Sequence, residues 1–178
     1  MEWIQGKHQI KEYFLREFKD LFTYDNPSIH NELEHLVEKK IFMEDNIAMM
    51  AVPLEEEIKD CVWTLHPLKS PGPDGYSGIF YRKYWSIVKD QVIKCVQECF
   101  RTISIAKGLN RTLIVLIPKT NQPMNFHHFR PINLCNFTYK IISKLLANRM
   151  RHLFNRFISP NQGAFVKGRW IAENTIVA

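Results

Sequence analysis

The chain has 178 residues, 46% of them hydrophobic and 12% aromatic, which favours a packed core and excludes a disordered chain. It contains no apolar run of membrane-spanning length, and its first ten residues lack the apolar core of a signal peptide. We therefore expect a soluble intracellular protein without a membrane partner. The four cysteines have neither disulfide-framework nor zinc-finger spacing, which favours reduced thiols over a metal site.

Charge is unevenly distributed along the chain. Residues 1–70 contain 8 basic and 14 acidic residues, whereas residues 71–178 contain 16 basic and 4 acidic residues. The net charge of +12 on residues 71–178 favours a polyanionic partner. Nucleic acid is the leading candidate, because each phosphate contact releases a counterion. The alternative is that the acidic part docks against the basic part.

The first 65 residues have helical patterns without a chemical motif. Residues 7–22 and 28–40 repeat apolar side chains at helical spacing, which predicts two helices of a connecting segment. A third helix is predicted between Asp45 and Leu65, with Pro53 in its first turn. We interpret the glutamates at 55–57 as favourable charges at a helix start, because consecutive helical residues point in different directions.

A loop rich in proline and glycine follows at residues 69–78, KSPGPDGYSG, and predicts a tight turn of fixed shape. A phosphate-binding P-loop is excluded, because GxxxxGK[ST] is absent and Lys69 precedes the glycines. Residues 76–105 then predict one long helix or two short ones.

Residues 110–134 predict a β-hairpin that presents two cations. The apolar run at 113–117 predicts a buried or half-buried strand. Lys119 follows this strand, and Arg130 lies in a second extended segment before Pro131. Two cations on adjacent rigid segments suit a polyphosphate, and Arg adds a bidentate grip. The alternative is a surface hairpin with two solvated cations.

Residues 136–157 have the clearest helical pattern, with one apolar arc. Lys140, Lys144 and Arg151 form a basic stripe beside it, suited to a phosphate backbone. Arg149 lies within the apolar arc, where an unpaired charge is costly, so we expect it to pair with a buried acid. The alternative is that this part of the arc faces a nucleic-acid channel.

The last segment mixes polar amides, an aromatic side chain and cations near a glycine. Such a set could contact bases and phosphates of a nucleic-acid strand, although a plain loop between helices would have a similar composition. The candidate residues for these nucleic-acid contacts are Gln162, Gly163, Phe165, Lys167 and Arg169.

Five motifs occur in one order: KSPGPDG at 69–75, LIPK at 116–119, FRPINL at 129–134, YKIISKLLANRM at 139–150 and QGAF at 162–165. Together they resemble the reverse transcriptase of plant-type non-LTR (LINE) retrotransposons. The resemblance covers residues 51–178, and residues 1–50 resemble the helical linker upstream of such a polymerase. The chain departs from the pattern at Asn133 and Gly163, where members of the family often have Ser.

This resemblance implies an α+β, mostly helical fold: part of the fingers subdomain of a right-hand polymerase, with a short β-hairpin and without the palm. It implies that Lys119 and Arg130 contact the triphosphate of the incoming deoxynucleotide, and that Gln162, Gly163 and Phe165 lie near the template. The implied partners are an RNA template, a DNA primer and the remaining palm and thumb of the polymerase. The implied compartment is the nucleus.

Polymerase chemistry needs carboxylates that hold two Mg²⁺ ions about 4 Å apart. This sequence has no Asp after Asp90 and no xDD turn, and Asp74 has no carboxylate beside it. We therefore expect no catalytic residue, no metal or other cofactor bound by this chain, and no polymerase activity from it alone. Mg²⁺ is implied for the full-length enzyme. The alternatives are a stand-alone basic nucleic-acid-binding module and the inactive product of a pseudogene.

Overall fold

The structure is a computed structural model that describes residues 3–23, 40–159, 162, 166 and 168–169. In these residues the chain forms, in order, α1 (Lys7–Phe22), α2 (Met43–Met50), α3 (Glu55–Thr64), α4 (Gly78–Lys83), α5 (Trp85–Thr102), β1 (Thr112–Pro118), β2 (Phe129–Cys135), α6 (Phe137–Arg151) and α7 (Phe154–Phe157). The predicted α+β, mostly helical composition is confirmed. The assignment to a fingers subdomain stays a prediction.

Several predicted elements can be compared with these bounds. The helix at 7–22 is confirmed, and the pattern at 76–105 forms two helices. A helix forms before Leu65 as predicted, but it begins at Glu55, so Pro53 precedes its first turn instead of lying in it. The sequence did not predict α2, and the helix predicted at 28–40 lies outside the described residues except at its last position.

The chain divides into two compact units. Unit 1 comprises Met1–Glu38 and Ile114–Ile132, and unit 2 comprises Lys39–Leu113 and Asn133–Ala178. The predicted domain boundary at residue 50 stays a prediction. No helix in the part of the chain that the structure describes is long and apolar enough to cross a membrane.

Unit 2 has its core where α3, α4, α5 and α6 meet. The apolar arc of α6 supplies Phe137, Ile141, Ile142 and Leu145, all buried. Phe137 stacks on Tyr81 of α4 with 4.8 Å between ring centroids, which fixes the start of α6 against α4. The other buried side chains of this core are Ile58, Cys61, Val62, Leu65, Val92 and Val96.

The loop at 69–78 docks against the residue before α6. Gly72 approaches so closely that an added Cβ would lie 2.3 Å from the backbone nitrogen of Asn136. The buried Asn136 side chain accepts a hydrogen bond from the Asp74 N–H at 3.2 Å and donates one to the Gly108 carbonyl at 3.1 Å. Gly75 has φ of 75°, a conformation that favours glycine. The predicted tight loop is confirmed.

Unit 1 is held together by aromatic side chains of α1 and of the hairpin end. The Phe14 ring meets Phe129 edge to face at 5.3 Å, and Phe18 meets the buried Phe126 at 4.8 Å. The Tyr13 hydroxyl oxygen accepts a hydrogen bond from the Phe126 N–H at 3.4 Å. Helix α1, predicted only as a connecting helix, therefore supports the hairpin end.

The prediction that the first strand is buried or half-buried is wrong for four of its five apolar residues. β1 and β2 form a two-stranded antiparallel sheet. Within the strand, Leu113, Ile114, Val115 and Ile117 are 42–50% exposed, and Leu116 is half-buried. The apolar run predicted the strand correctly, but a two-stranded sheet buries its faces only where another layer packs on it.

Candidate nucleotide and nucleic-acid interface

Lys119 closes the hairpin in unit 1, directly after β1. Its backbone N–H donates to the His128 carbonyl at 2.8 Å, which pairs Lys119 with His128 across the antiparallel strands. Its Nζ donates to the neighbouring carbonyl of His127, also at 2.8 Å. Lys119 therefore holds the loop with its backbone and its side chain while it remains exposed to solvent.

Arg130 lies on β2, two residues after His128. In antiparallel strands, directly opposed residues point to the same face of the sheet, and so do residues two positions further along. Lys119 opposes His128, so Lys119 and Arg130 are diagonal neighbours on one face, with Cα atoms about 7–8 Å apart. Arg130 is exposed, and its guanidinium has no hydrogen-bond or ion-pair partner among the described residues. The hairpin thus brings together the two cations that the sequence singled out, although nucleotide binding by them stays a prediction.

The loop beside these cations is shaped by His128, a residue that sequence reasoning left without a role. Its Nδ1 accepts a hydrogen bond from the Met124 N–H at 3.1 Å. Its Nε2 lies 3.4 Å from the Asn125 side-chain amide. Both adjacent histidines therefore hold Lys119 through their carbonyls, and the His128 ring also holds Met124 and Asn125 of the loop.

The basic stripe of α6 lies in unit 2. Lys140, Lys144 and Arg151 share one side of the helix, because spacings of four and seven residues return to the same face. Lys144 is half-buried and Arg151 is exposed, and neither side chain has a hydrogen-bond or ion-pair partner within the ranges that the structure describes. These two residues can offer their charges to a phosphate backbone.

Lys140 differs from the rest of the stripe. Its Nζ donates to the Ser70 carbonyl at 2.6 Å, and burial lowers the pKa of Lys140 below its ordinary value, with a smaller contribution from the positive charge of Lys69. Lys140 therefore ties the proline-rich loop to α6. Binding of a nucleic-acid backbone by Lys140 stays a prediction. It would require Lys140 to exchange its hydrogen bond to the Ser70 carbonyl for one to a phosphate.

Arg149 pairs with an acid as the sequence predicted, but this acid, Glu57, is half-buried and not buried. Its Nε and Nη2 donate to the two carboxylate oxygens of Glu57, each at 2.8 Å. Its Nη1 donates to the carbonyls of Met49 at 2.8 Å and Ala51 at 2.6 Å, and its guanidinium lies 5.0 Å from the Phe100 ring centre. The Arg149 side chain is 13% exposed, so its charge belongs to the interior of unit 2 and not to a strand-binding surface.

The predicted template-binding residues are described only in part. Arg169 donates from Nη1 to the carbonyls of Ser159 at 2.5 Å and Gln162 at 3.0 Å, so its guanidinium organises its own segment. Gln162 is exposed. The remaining three, Gly163, Phe165 and Lys167, lie outside the described residues.

No group of three or more His, Cys, Asp or Glu side chains in the described part of the chain is arranged to hold a metal ion. The four cysteines are unpaired, and burial raises the pKa of Cys61 to about 11, which keeps this core thiol protonated at neutral pH. The expected use of Mg²⁺ by the full-length enzyme stays a prediction.

Two curated relatives share sequence similarity with the chain, and no protein-family model matches it. The chain is 25% identical over 122 residues to a "Transposon TX1 uncharacterized 149 kDa protein" of Xenopus laevis, a match that covers 68% of this chain and 9% of that protein. It is 25% identical over 133 residues to a "Retrovirus-related Pol polyprotein from type-1 retrotransposable element R1" of Bradysia coprophila, covering 70% of this chain and 13% of that protein.

The chain is therefore similar to short parts of two retrotransposon proteins. The chain spans about a tenth of the length of the two relatives, 9% and 13%. Neither relative comes from a plant, so the plant-type part of the resemblance stays a prediction.

Proposed function

We propose that residues 51–178 form part of the fingers of an RNA-directed DNA polymerase from a LINE-type retrotransposon. In this proposal the hairpin of unit 1 binds the triphosphate of the incoming deoxynucleotide. The observation that carries the proposal is the position of Lys119 and Arg130 on one face of the hairpin. The similarity to a retrotransposon Pol polyprotein supports the substrate class.

The geometry of the hairpin suits an anion with several oxygens. Two like charges on one face of a hairpin repel each other in the absence of a ligand, and a bound triphosphate would attract both. The guanidinium of Arg130, which has no partner in the part of the chain that the structure describes, can donate two parallel hydrogen bonds to phosphate oxygens. Lys119 would exchange its bond to the His127 carbonyl for a charge-assisted one, which keeps its ammonium group satisfied throughout.

The remaining polymerase functions would come from elsewhere in a longer protein. This sequence has no Asp after Asp90 and no xDD turn, so the palm of the longer protein would provide the aspartates for two Mg²⁺ ions. Unit 2 would contribute phosphate contacts to the RNA template and DNA primer through Lys144 and Arg151. On this proposal the 178-residue chain binds a deoxynucleotide without incorporating it.

The test is equilibrium binding of deoxythymidine mono-, di- and triphosphate to the whole chain by calorimetry. We expect affinity to rise with phosphate number, and Arg130→Gln to weaken triphosphate binding about tenfold or more, because charge-assisted hydrogen bonds contribute about 1.5–3 kcal/mol. Lys119→Gln should cost less, because Lys119 must give up its hydrogen bond to the His127 carbonyl before its ammonium group can contact a phosphate. Arg111→Gln, an exposed cation just before β1, is the matched control.

Two results would contradict the proposal. Equal losses for the Arg130 and Arg111 variants would mean diffuse attraction by net charge rather than a hairpin site. Template-dependent incorporation of nucleotides by the purified chain with Mg²⁺ would overturn the expected inactivity.

A stand-alone basic nucleic-acid-binding module is the second candidate function. The observation that favours it is the balance of +12 over residues 71–178. Such a module would bind oligonucleotides strongly at low salt, yet show no preference for a triphosphate over a monophosphate at the hairpin.

A further inference from the structure

Three aromatic side chains of unit 2 form a continuous row beside α4. The Tyr76 and Phe80 ring centroids are 4.4 Å apart with 32° between planes, and the Phe80 and Tyr84 centroids are 5.2 Å apart with 47° between planes. Tyr76 is 48% exposed and Tyr84 is 40% exposed, whereas Phe80 is half-buried against the core. The row is therefore anchored at its centre and open to solvent at both ends.

The charges around this row differ at its two ends. Lys83 places its Nζ 5.7 Å from the centre of the Tyr84 ring and is exposed. The neighbouring Arg82 is not available, since it donates to the carbonyls that end α3. At the other end, Asp74 accepts a hydrogen bond from the Tyr76 N–H at 3.1 Å, which places a carboxylate near that ring. A polyanion is thus favoured at the Tyr84 end.

We propose that Tyr76, Phe80 and Tyr84 are a stacking platform for bases of a single-stranded nucleic acid, with Lys83 on the adjacent phosphate. The rings touch one another, so bases would stack at the two solvent-exposed ends of the row, on Tyr76 and Tyr84, and not between the rings. Stacking on aromatic side chains beside a cation is the usual way in which proteins hold single strands without reading sequence.

The choice of partner follows from the chemistry of the row. Both exposed rings carry hydroxyl groups, and a cation borders the row, so the surface is amphipathic rather than a purely apolar groove. Nucleic-acid bases have apolar faces and polar edges that match such a surface. The partner class rests on the proposed function, but the row shares no residue with the hairpin site.

The experiment measures binding of a fluorescein-labelled 12-nucleotide oligo(U) to the whole chain by anisotropy. The double variant Tyr76→Leu/Tyr84→Leu removes both exposed rings and should weaken binding about tenfold or more, whereas Tyr76→Phe/Tyr84→Phe should stay within about twofold because the π-faces remain. Lys83→Gln should lower the slope of log affinity against log salt by about 0.7, while the leucine variant leaves that slope unchanged.

The matched control is Trp63→Leu. Trp63 is 43% exposed and has Lys59 Nζ 5.9 Å from its ring, yet it lies outside the row, so its loss should leave the affinity nearly unchanged. Circular dichroism melts of all variants identify any loss of folding.

Three outcomes would overturn the stacking proposal: undiminished affinity in the leucine variant, equal losses in the leucine and phenylalanine variants, or an equal loss with a duplex of the same length. Undiminished affinity would also be the result if the row instead docks a protein. Because triphosphate binding is measured with Arg130→Gln and a different ligand, a failure at the hairpin and a failure at the row are read separately.

Discussion

Arg149 makes four hydrogen bonds inside unit 2 although its neighbours on α6 are apolar. Two of them form a bidentate pair with Glu57, and two satisfy the carbonyls of Met49 and Ala51 near the end of α2. One side chain thus joins α6 to the ends of α2 and α3. The physical consequence is a structural charge whose removal leaves several polar groups without partners.

Arg149→Met tests this role. The substitution keeps an apolar stem but leaves Glu57 without its cation, and we expect the free energy of unfolding to fall by about 2–4 kcal/mol. The loss should fall below that of a fully buried pair, because the Glu57 side chain is 35% exposed and can be partly hydrated. Urea denaturation measures it, with Arg151→Met as the exposed control, expected to change stability by less than about 0.5 kcal/mol. Equal small changes would show that the pair contributes little.

The sequence predicted an acidic partner for Arg149 but not which one. An arginine within an apolar arc requires compensation, and this requirement can be read from helical spacing alone. Glu57 is 92 positions away from it and sits in a run of three glutamates that all favour the helix start equally well. Choosing among the three depends on how α3 and α6 pack, which spacing within one helix does not determine.

At the scale of elements, the contact between the proline-rich loop and the start of α6 is the most constrained part of unit 2. Asn136 satisfies groups on both sides of this contact, and Lys140 adds a hydrogen bond to Ser70 one turn later. The turn residues predicted the loop itself. Its docking site could not be predicted, because it depends on a close backbone approach at Gly72 between segments distant in sequence.

A pair of glycine substitutions tests the close approach. Gly72→Ala would place a Cβ 2.3 Å from the Asn136 backbone nitrogen, so the loop must move, and we expect a loss of about 1–3 kcal/mol in the free energy of unfolding. Gly108→Ala meets no atom within 4 Å, and we expect a change between zero and a gain of about 1 kcal/mol. Thermal and urea melts compare the two variants. A Gly72 variant as stable as the Gly108 variant would mean that the loop does not dock in this way.

The hairpin shows a different limit of sequence reasoning. β-Branched residues identified the first strand and the residue before Pro131 identified the second, and the register then placed Lys119 and Arg130 on one face. Exposure was predicted wrongly, because a continuous apolar run has the same pattern whether another layer covers the strand or not. The support of the hairpin end by Phe14 and Phe18 of α1 was also missed, since helical spacing shows an apolar face but not what it packs against.

At the scale of the whole molecule, the uneven charge is the property most directly readable from sequence, but the structure divides the cations into different uses. Arg149 and Arg169 donate to groups of the chain, and Lys140 holds a loop carbonyl. Lys144 and Arg151 remain available on one side of α6. Net charge alone therefore overstates how many cations can contact a nucleic acid. The number of phosphate contacts should be smaller than the net charge of +12 on residues 71–178.

Salt dependence measures that number. We expect binding of the 12-nucleotide oligo(U) to weaken linearly in log affinity against log salt, and Lys144→Gln/Arg151→Gln to reduce the slope by about 1.4, or about 0.7 for each lost phosphate contact. Lys11→Gln/Lys19→Gln on α1 removes the same charge from exposed positions in the acidic part, and should leave the slope unchanged. If both double variants reduce the slope equally, the attraction comes from net charge, and the stripe on α6 is not a strand-binding surface. If only the α6 variant has a smaller slope, two phosphate contacts are located on one face of α6. The slope supports this assignment because it reports the number of counterions released, which the affinity at a single salt concentration does not.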